Sequence, residues 1–184
     1  MDNFKPELLC PAGDITRLKC AVDFGADAVY FAGTEFGMRA GAENFNPDQM
    51  AEGIEYAHSR GVRAHITVNT LMHPDEMAAL PDFIAVARDA GADAFIVTDL
   101  GAMKSGREVA PNADIHASVQ MGVVNAETAC VLHEMGAKRI VVARELTLDE
   151  ISKIRANTPK SLELEAFAHG AVCMSYSGRC LLSM

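Results

Sequence analysis

Hydrophobic and polar positions along this chain repeat in a unit that occurs three times. Each copy has a glycine, a short link and then an apolar run, and the copies span residues 25–33, 91–99 and 136–144. A glycine in this setting ends a helix, and the short apolar run after it is typical of a buried strand. The repeat predicts a parallel β/α architecture, in which chemistry takes place at the C-terminal ends of the strands.

The apolar runs predict strands separated by helices along the whole chain. We expect strands at about 7–12, 27–33, 63–69, 94–99, 114–120, 139–145 and 162–169. Three helix starts have capping residues, namely Asp14, Asn46 and Thr147. Pro81 should split the helical segment in which it lies, so that the main part runs over 82–90.

Strict alternation leaves two parallel architectures, a doubly wound sheet and a TIM-type (β/α)8 barrel. No G-x-G-x-x-G turn follows the first strand, where a dinucleotide-binding sheet would have one. Several strands alternate polar with apolar residues; His65, Thr67 and Asn69 alternate with Ile66 and Val68. A barrel explains this pattern because polar side chains point into its lumen, although hydrogen-bonded polar residues in a core would also give it.

We therefore predict an α/β fold, a TIM-type (β/α)8 barrel that is incomplete, with about seven parallel strands. Residues 1–184 should form a single barrel-type domain that is truncated at its C-terminal end, one strand short of closure. Strands at the two open edges would expose unpaired backbone groups, so self-association is expected.

Composition and charge restrict where the protein is expected to occur and which partners it is expected to bind. The chain has no long apolar run and no apolar N-terminal leader, which favours a soluble cytoplasmic protein without a membrane partner. Its formal net charge is −9, which weighs against a general polyanion-binding surface but leaves room for a local basic groove.

The most specific segment is the tail, in which Cys173 and Cys180 follow the last predicted strand. Thiolates at the mouth of a barrel suit soft metals and iron–sulfur clusters. The spacing matches no common zinc or ferredoxin pattern, so inert or redox-active thiols remain an alternative. Cys20 and Cys130 lie within predicted helices and are expected to be buried hydrophobic residues.

The tail sequence, His-Gly-Ala-Val-Cys-Met-Ser-Tyr-Ser-Gly-Arg-Cys at 169–180, resembles the signature of the collagenase-like peptidase family U32. The similarity extends along the chain through segments 7–13, 25–30, 36–40, 68–70, 118–120 and 143–146. It implies a barrel-type N-terminal domain and a 4Fe-4S cluster held by four cysteines, the first two of which match Cys173 and Cys180. With two of the four ligands, this fragment alone is expected to hold the cluster incompletely or not at all.

Within the family, the tail and the opening are most similar to the tRNA hydroxylation branch. This resemblance implies an iron–sulfur-dependent, oxygen-independent hydroxylation of tRNA uridine with prephenate as the oxygen source, so the partners would be tRNA and a small carboxylic acid. One alternative is a collagenase-like protease, a hydrolase acting on peptides. Another is a truncated, catalytically silent binding module, so the resemblance implies an enzyme without showing that this fragment is active.

Candidate site residues follow the ends of predicted strands or lie in the adjoining loops. We predict catalytic roles for His169, Arg39 and Glu145. Substrate binding is predicted for Asn69, Gln120 and Arg144, and metal ligation for Cys173 and Cys180.

Each prediction has a structural alternative. Arg39 can be a solvated loop residue, and Arg144 and Glu145 can form a structural ion pair. Asn69, Gln120 and the neighbouring Asp99 can cap helices, and His169 can be a core histidine. No G-x-S-x-G or H-E-x-x-H motif occurs, so Ser175 or Ser177 beside His169 is a weak sign of a protease.

Overall fold

The computed structural model describes residues 5–37, 44–170 and 173–178, and all seven predicted strands are present. The strands are β1 (Leu9–Pro11), β2 (Ala28–Ala32), β3 (Arg63–Val68), β4 (Ala94–Val97), β5 (Asp114–Ala117), β6 (Arg139–Val141) and β7 (Glu163–Glu165). The helices are α1 (Ile15–Asp23), α2 (Pro47–His58), α3 (Pro74–Asp89), α4 (Leu100–Val109), α5 (Ala126–Glu134) and α6 (Leu148–Ala156), with a 3-10 turn at Val119–Met121.

The described strands form one parallel sheet in chain order from β1 to β7. A doubly wound sheet reverses its strand order at a switch point, and this sheet does not. Arg139 Nη1 of β6 lies 2.6 Å from Glu7 Oε1, just before β1, so the sheet curls until its ends approach each other. The α/β TIM-like fold is thus confirmed. Within the described part, β1 and β7 each pair on one side only.

Local capping signals placed the helix starts correctly. The side chains of Asp14, Asn46 and Thr147 each accept a hydrogen bond from a backbone N–H in the first turn of α1, α2 and α6, respectively. No described helix is both long and apolar enough to cross a membrane.

The predicted break at Pro81 is wrong. Helix α3 runs without interruption from Pro74 to Asp89. A proline inside a helix costs about 3 kcal/mol because it removes one backbone hydrogen bond and crowds the preceding turn. Leu80, Ile84 and Ala87 are fully buried in the hydrophobic core, and this burial on both sides of the proline offsets the cost.

The alternation of polar and apolar residues does mark two faces of the sheet. Ile66 and Val68 of β3 belong to the core between sheet and helices. The ring of His65 contacts that of His116 edge to face, with centroids 4.8 Å apart. Because β4 separates β3 from β5, these rings can meet only across the concave side. Both imidazoles are fully buried, and neither has a hydrogen-bond partner among the described residues.

A cluster of charges surrounds Arg139, whose side chain is only 8% exposed. Its guanidinium contacts Glu7 Oε1 at 2.6 Å, Glu163 Oε2 at 2.7 Å and Glu165 Oε2 at 3.2 Å. Burial alone would lower the pKa of Arg139, but the carboxylates raise it above its usual value. Arg139 is therefore always charged and bridges β6, β7 and the segment before β1.

Replacement of Arg139 by methionine should lower the free energy of unfolding by about 2–3 kcal/mol, because three partly exposed carboxylates would lose the buried guanidinium that neutralises them. Arg17→Met is the matched control, since the Arg17 side chain is 70% exposed and should contribute less than about 1 kcal/mol. Urea denaturation of both variants measures the difference. Equal losses would contradict the bridging role of Arg139.

The buried histidines predict a stability that falls in mild acid. Burial, helped by Arg63 and Arg139, lowers the pKa of His65 from 6.5 to about 4, and burial together with His65 lowers that of His116. The unfolded chain therefore takes up protons before the folded chain does, so stability is present above pH 6.5 and is lost as the pH falls toward 4. His65 alone accounts for about 3 kcal/mol of this loss.

Two carboxyl groups also contribute to this pH dependence, so a variant is needed to isolate the contribution of the histidines. Hydrogen bonding and charge from Arg139 outweigh burial and lower the pKa of Glu7, which adds to the acid loss, whereas burial raises the pKa of Glu165, which opposes it. Denaturation midpoints between pH 4 and 8 for the wild type and His116→Phe should separate the histidine contribution. An unchanged slope in the variant would contradict the assignment.

Candidate functional site

The predicted site residues within the described chain gather at one end of the sheet. Asn69 follows β3 directly, and Gln120 lies in the 3-10 turn after β5. Glu145 and His169 each lie four residues after the last residue of a strand, β6 and β7 respectively. Because all strands are parallel, these positions share the C-terminal end, as predicted. Their catalytic and binding roles stay predictions.

Thr98, a residue that sequence reasoning did not single out, contacts residues that follow two other strands, β3 and β5. It follows β4, and its hydroxyl lies 3.2 Å from Gln120 Oε1 and 3.4 Å from the carbonyl oxygen of Asn69. Its position at the end of the second repeated unit was the available signal. Asp99, next to it, accepts hydrogen bonds from the N–H groups of Gly101 and Ala102 and thus caps α4, which confirms its structural alternative.

The guanidinium of Arg144 faces the segment Cys173–Gly178, which we call the tail segment. Nη2 donates to the carbonyl oxygen of Ser175 at 2.6 Å, Nη1 to that of Cys173 at 3.1 Å, and Nε to Ser177 Oγ at 3.2 Å. The side chain is 15% exposed. Arg144, which was predicted to bind substrate, thus uses Nη1, Nη2 and Nε to hold the chain's own tail.

Glu145 also contacts the tail segment. Its Oε1 accepts a hydrogen bond from Ser177 N at 2.8 Å and lies 4.0 Å from Arg144 Nη2, so the predicted structural ion pair is present. Burial would raise the pKa of Glu145, but hydrogen bonds from Ser177 and from its own backbone, with the charge of Arg144, hold it below its usual value. At neutral pH the carboxylate is ionised and can accept a proton but not donate one.

Cys173 is exposed, and its Sγ accepts a hydrogen bond from Ser175 N at 3.4 Å. Such N–H groups directed at sulfur are one means by which proteins tune iron–sulfur clusters, so Cys173 suits one ligand position. Cys180 lies outside the described residues. Among the described residues, no group of three or more His, Cys, Asp or Glu side chains could hold a metal ion.

The described cysteines, Cys10, Cys20, Cys130 and Cys173, are all free. The prediction that Cys20 is buried is wrong, because it is exposed. Helix α1 buries Leu18 and Val22, and a residue two positions from each points away from that face.

Other site predictions have mixed outcomes. His169 is exposed, so the core-histidine alternative is wrong. Arg39 lies outside the described residues. Ser177 is buried, and its hydroxyl oxygen lies within hydrogen-bond distance of Arg144 N and Nε. Its environment is therefore that of a structural hydroxyl, with no contact to His169 among the described interactions.

Known proteins resemble this chain over nearly its whole length. The sequence model described as Peptidase family U32 matches residues 13–184. A Bacillus subtilis relative named tRNA hydroxylation protein P1 is 41% identical over 97% of the chain and 42% of its own length. A Porphyromonas gingivalis relative named collagenase is 34% identical over 97% of the chain and 45% of its own length. The chain thus spans less than half the length of these relatives.

A solved structure supports the fold independently. The structure of a U32 peptidase superposes with a TM-score of 0.73 at 18% identity, covering 90% of this chain and 70% of its own. At this identity the likeness concerns the fold alone. It agrees with the curled parallel sheet described above.

Thiol reactivity should follow the environments of the cysteines. Burial and the charge of Asp27 raise the pKa of the Cys10 thiol, so less of the reactive thiolate is present at neutral pH. In chelator-treated protein, we expect iodoacetamide to alkylate the exposed Cys173 and Cys20 at least about tenfold faster than Cys10. Mass spectrometry of timed digests measures the rates, and equal rates at Cys10 and Cys173 would contradict this placement.

Proposed function

Since the chain belongs to peptidase family U32, we propose that it acts in an iron–sulfur-dependent, oxygen-independent hydroxylation of tRNA uridine with prephenate as the oxygen source. The relative named tRNA hydroxylation protein P1 supports this branch, because its 41% identity extends over 97% of the chain. The reaction, its substrates and its location in the cytoplasm are all part of the proposal.

The observation that carries the proposal is the position of Cys173. Arg144 and Glu145 hold the tail segment against the loop after β6, at the C-terminal end of the sheet. TIM-like barrels place their chemistry at this end. A thiol in that place, with the Ser175 N–H directed at its sulfur, suits a redox cluster better than a structural role.

In the proposal, Cys173 and Cys180 supply two of the four thiolates of a 4Fe-4S cluster, which provides one-electron chemistry when bound. Asn69 and Gln120, tied together through Thr98, offer amide groups that can orient a small carboxylic acid or a uridine base. His169 is exposed at the same end, where its imidazole can donate or accept a hydrogen bond.

Recognition of tRNA needs a further element in this proposal. The chain has a formal net charge of −9, so phosphate contacts must come from a local group of basic residues. Arg39 is the candidate for binding a carboxylate or a phosphate, since a guanidinium can bind either with two hydrogen bonds.

The second candidate function is peptide hydrolysis, which the 34% identical relative named collagenase favours. Its chemistry finds less support in the described residues. The Ser177 hydroxyl is buried against Arg144, and His169 is not positioned beside it as a general base.

The decisive experiment measures hydroxyuridine in tRNA from cells that lack their own tRNA hydroxylation proteins and express this protein. Joined to the segment that carries the other two ligand cysteines in a full-length relative, wild type and Cys130→Ser should restore hydroxyuridine and purify anaerobically with iron, sulfide and visible cluster absorption. Cys173→Ser should lose both the modified nucleoside and the cluster, because one ligand is missing. Cells unable to make prephenate should show no product.

Other outcomes assign the alternatives. Iron-free protein that cleaves gelatin and leaves tRNA unmodified would support the hydrolase. Protein with neither activity would support a binding module. A Cys173→Ser variant with a complete cluster and full activity would overturn the ligand assignment.

A further inference from the structure

We infer that Arg144, Glu145 and Ser177 form a latch whose task is to position Cys173, so that Arg144 is a positioning residue and not a substrate ligand. The latch contacts exist in the chain itself, whatever Cys173 binds. Only the identity of that bound group, a cluster, rests on the proposed function.

The shape of the Arg144 guanidinium explains how the latch fixes the tail. Two of its nitrogens donate to the carbonyl oxygens of Cys173 and Ser175, residues that are two positions apart. A planar guanidinium has its donors in a rigid fork, so it sets the distance and the orientation of both carbonyls at once. Between these carbonyls, the Ser175 N–H turns toward Cys173 Sγ at 3.4 Å.

Ser177 is a residue through which the tail segment contacts the loop after β6. Its N–H donates to Glu145 Oε1 at 2.8 Å, and its hydroxyl oxygen lies 3.2 Å from Arg144 Nε and 3.3 Å from Arg144 N. It is 5% exposed. Its donor and its acceptor thus both serve the latch, which explains a buried serine in an otherwise exposed segment.

The tail segment also has a close backbone contact with the turn after β5. Gly178 has a φ of +75°, and a Cβ added there would lie 2.4 Å from the carbonyl oxygen of Gln120. The tail segment therefore packs directly on the turn after β5, where a larger residue would have to displace one of the two chains. Contacts from the ends of β5 and β6 hold the segment between them.

This arrangement accounts for two distant parts of the sequence together. Arg144 and Glu145 are separated from Ser177 by 33 and 32 residues, yet they form one contact. A bound substrate would have to compete with main-chain carbonyls for the same donors of Arg144. The geometry favours a fixed partner over an exchangeable ligand.

The test is hydrogen exchange and NMR of the purified chain. In Arg144→Lys, which keeps the charge but loses the fork, and in Ser177→Ala, the amides of Ser175 and Ser177 should exchange at least about tenfold faster. The slowly exchanging Nε–H resonance of Arg144 should disappear from the Ser177→Ala spectrum. The buried amides of β3 should not change in either variant.

Arg155→Lys is the matched control, because Arg155 also donates to main-chain carbonyls, those of Leu162, Thr158 and Pro159, away from the tail segment. It should leave Ser175 and Ser177 unchanged. If Arg144→Lys behaves like the wild type, charge alone suffices and the latch is overturned. If that variant loses all protection through unfolding, Ser177→Ala, which removes one hydroxyl, decides the question.

A second measurement separates the latch from the proposed function. The chain is joined to the segment that carries the other two ligand cysteines in a full-length relative and is reconstituted anaerobically with iron and sulfide. Arg144→Lys should then give a cluster with an altered electron paramagnetic resonance spectrum, whereas Arg155→Lys should match the wild type. Absence of a cluster in the wild type would refute the proposed function and leave the exchange result standing. An unaltered spectrum with unaltered exchange would refute the latch.

Discussion

One buried charge, that of Arg139, connects the two ends of the curled sheet. Strands β1 and β7 do not pair with each other in the described sheet, so no backbone ladder holds its ends together. Arg139 does so with side-chain contacts to Glu7 on one side and to Glu163 and Glu165 on the other. The guanidinium needs these partners because it is buried and has lost its hydration, whereas the carboxylates keep part of theirs. The loops at the opposite end inherit their spacing from this closure.

Arg139 at the start of β6 and Arg144 just after its end bind different kinds of group. Arg139 at its start is neutralised by carboxylates, whereas Arg144 beyond its end donates mainly to neutral carbonyls and a hydroxyl. A guanidinium bound to neutral acceptors gives up less when those contacts break, since no second buried charge is left behind. The end of the sheet at Arg139 is therefore held by charge, and the end with the candidate site is held mainly by hydrogen bonds to neutral groups.

Local signals in the sequence were enough for the elements and for the end at which the site lies. Caps such as Asp14 act within a single turn, and the alternation around His65 reports the two faces of a strand. What the sequence could not predict is contact between distant residues. Glu7 and Arg139 are 132 positions apart, and neither has a local pattern that marks a partner. The Pro81 prediction failed for a related reason, because tertiary burial outweighed a local preference.

The same long-range contacts bear on which chemistry the tail segment favours. The hydroxyl of Ser177 is buried: its oxygen accepts hydrogen bonds from Arg144, and its hydrogen bond to the Glu145 carboxylate helps to lower the pKa of that group. The thiol of Cys173, by contrast, is exposed and receives an N–H from Ser175. A nucleophilic serine needs an accessible oxygen with a base beside it, whereas a metal-binding thiolate needs an open sulfur supported by donors. The hydroxyl is thus buried and the sulfur exposed, an arrangement that agrees better with the proposed ligand role of Cys173 than with a nucleophilic Ser177.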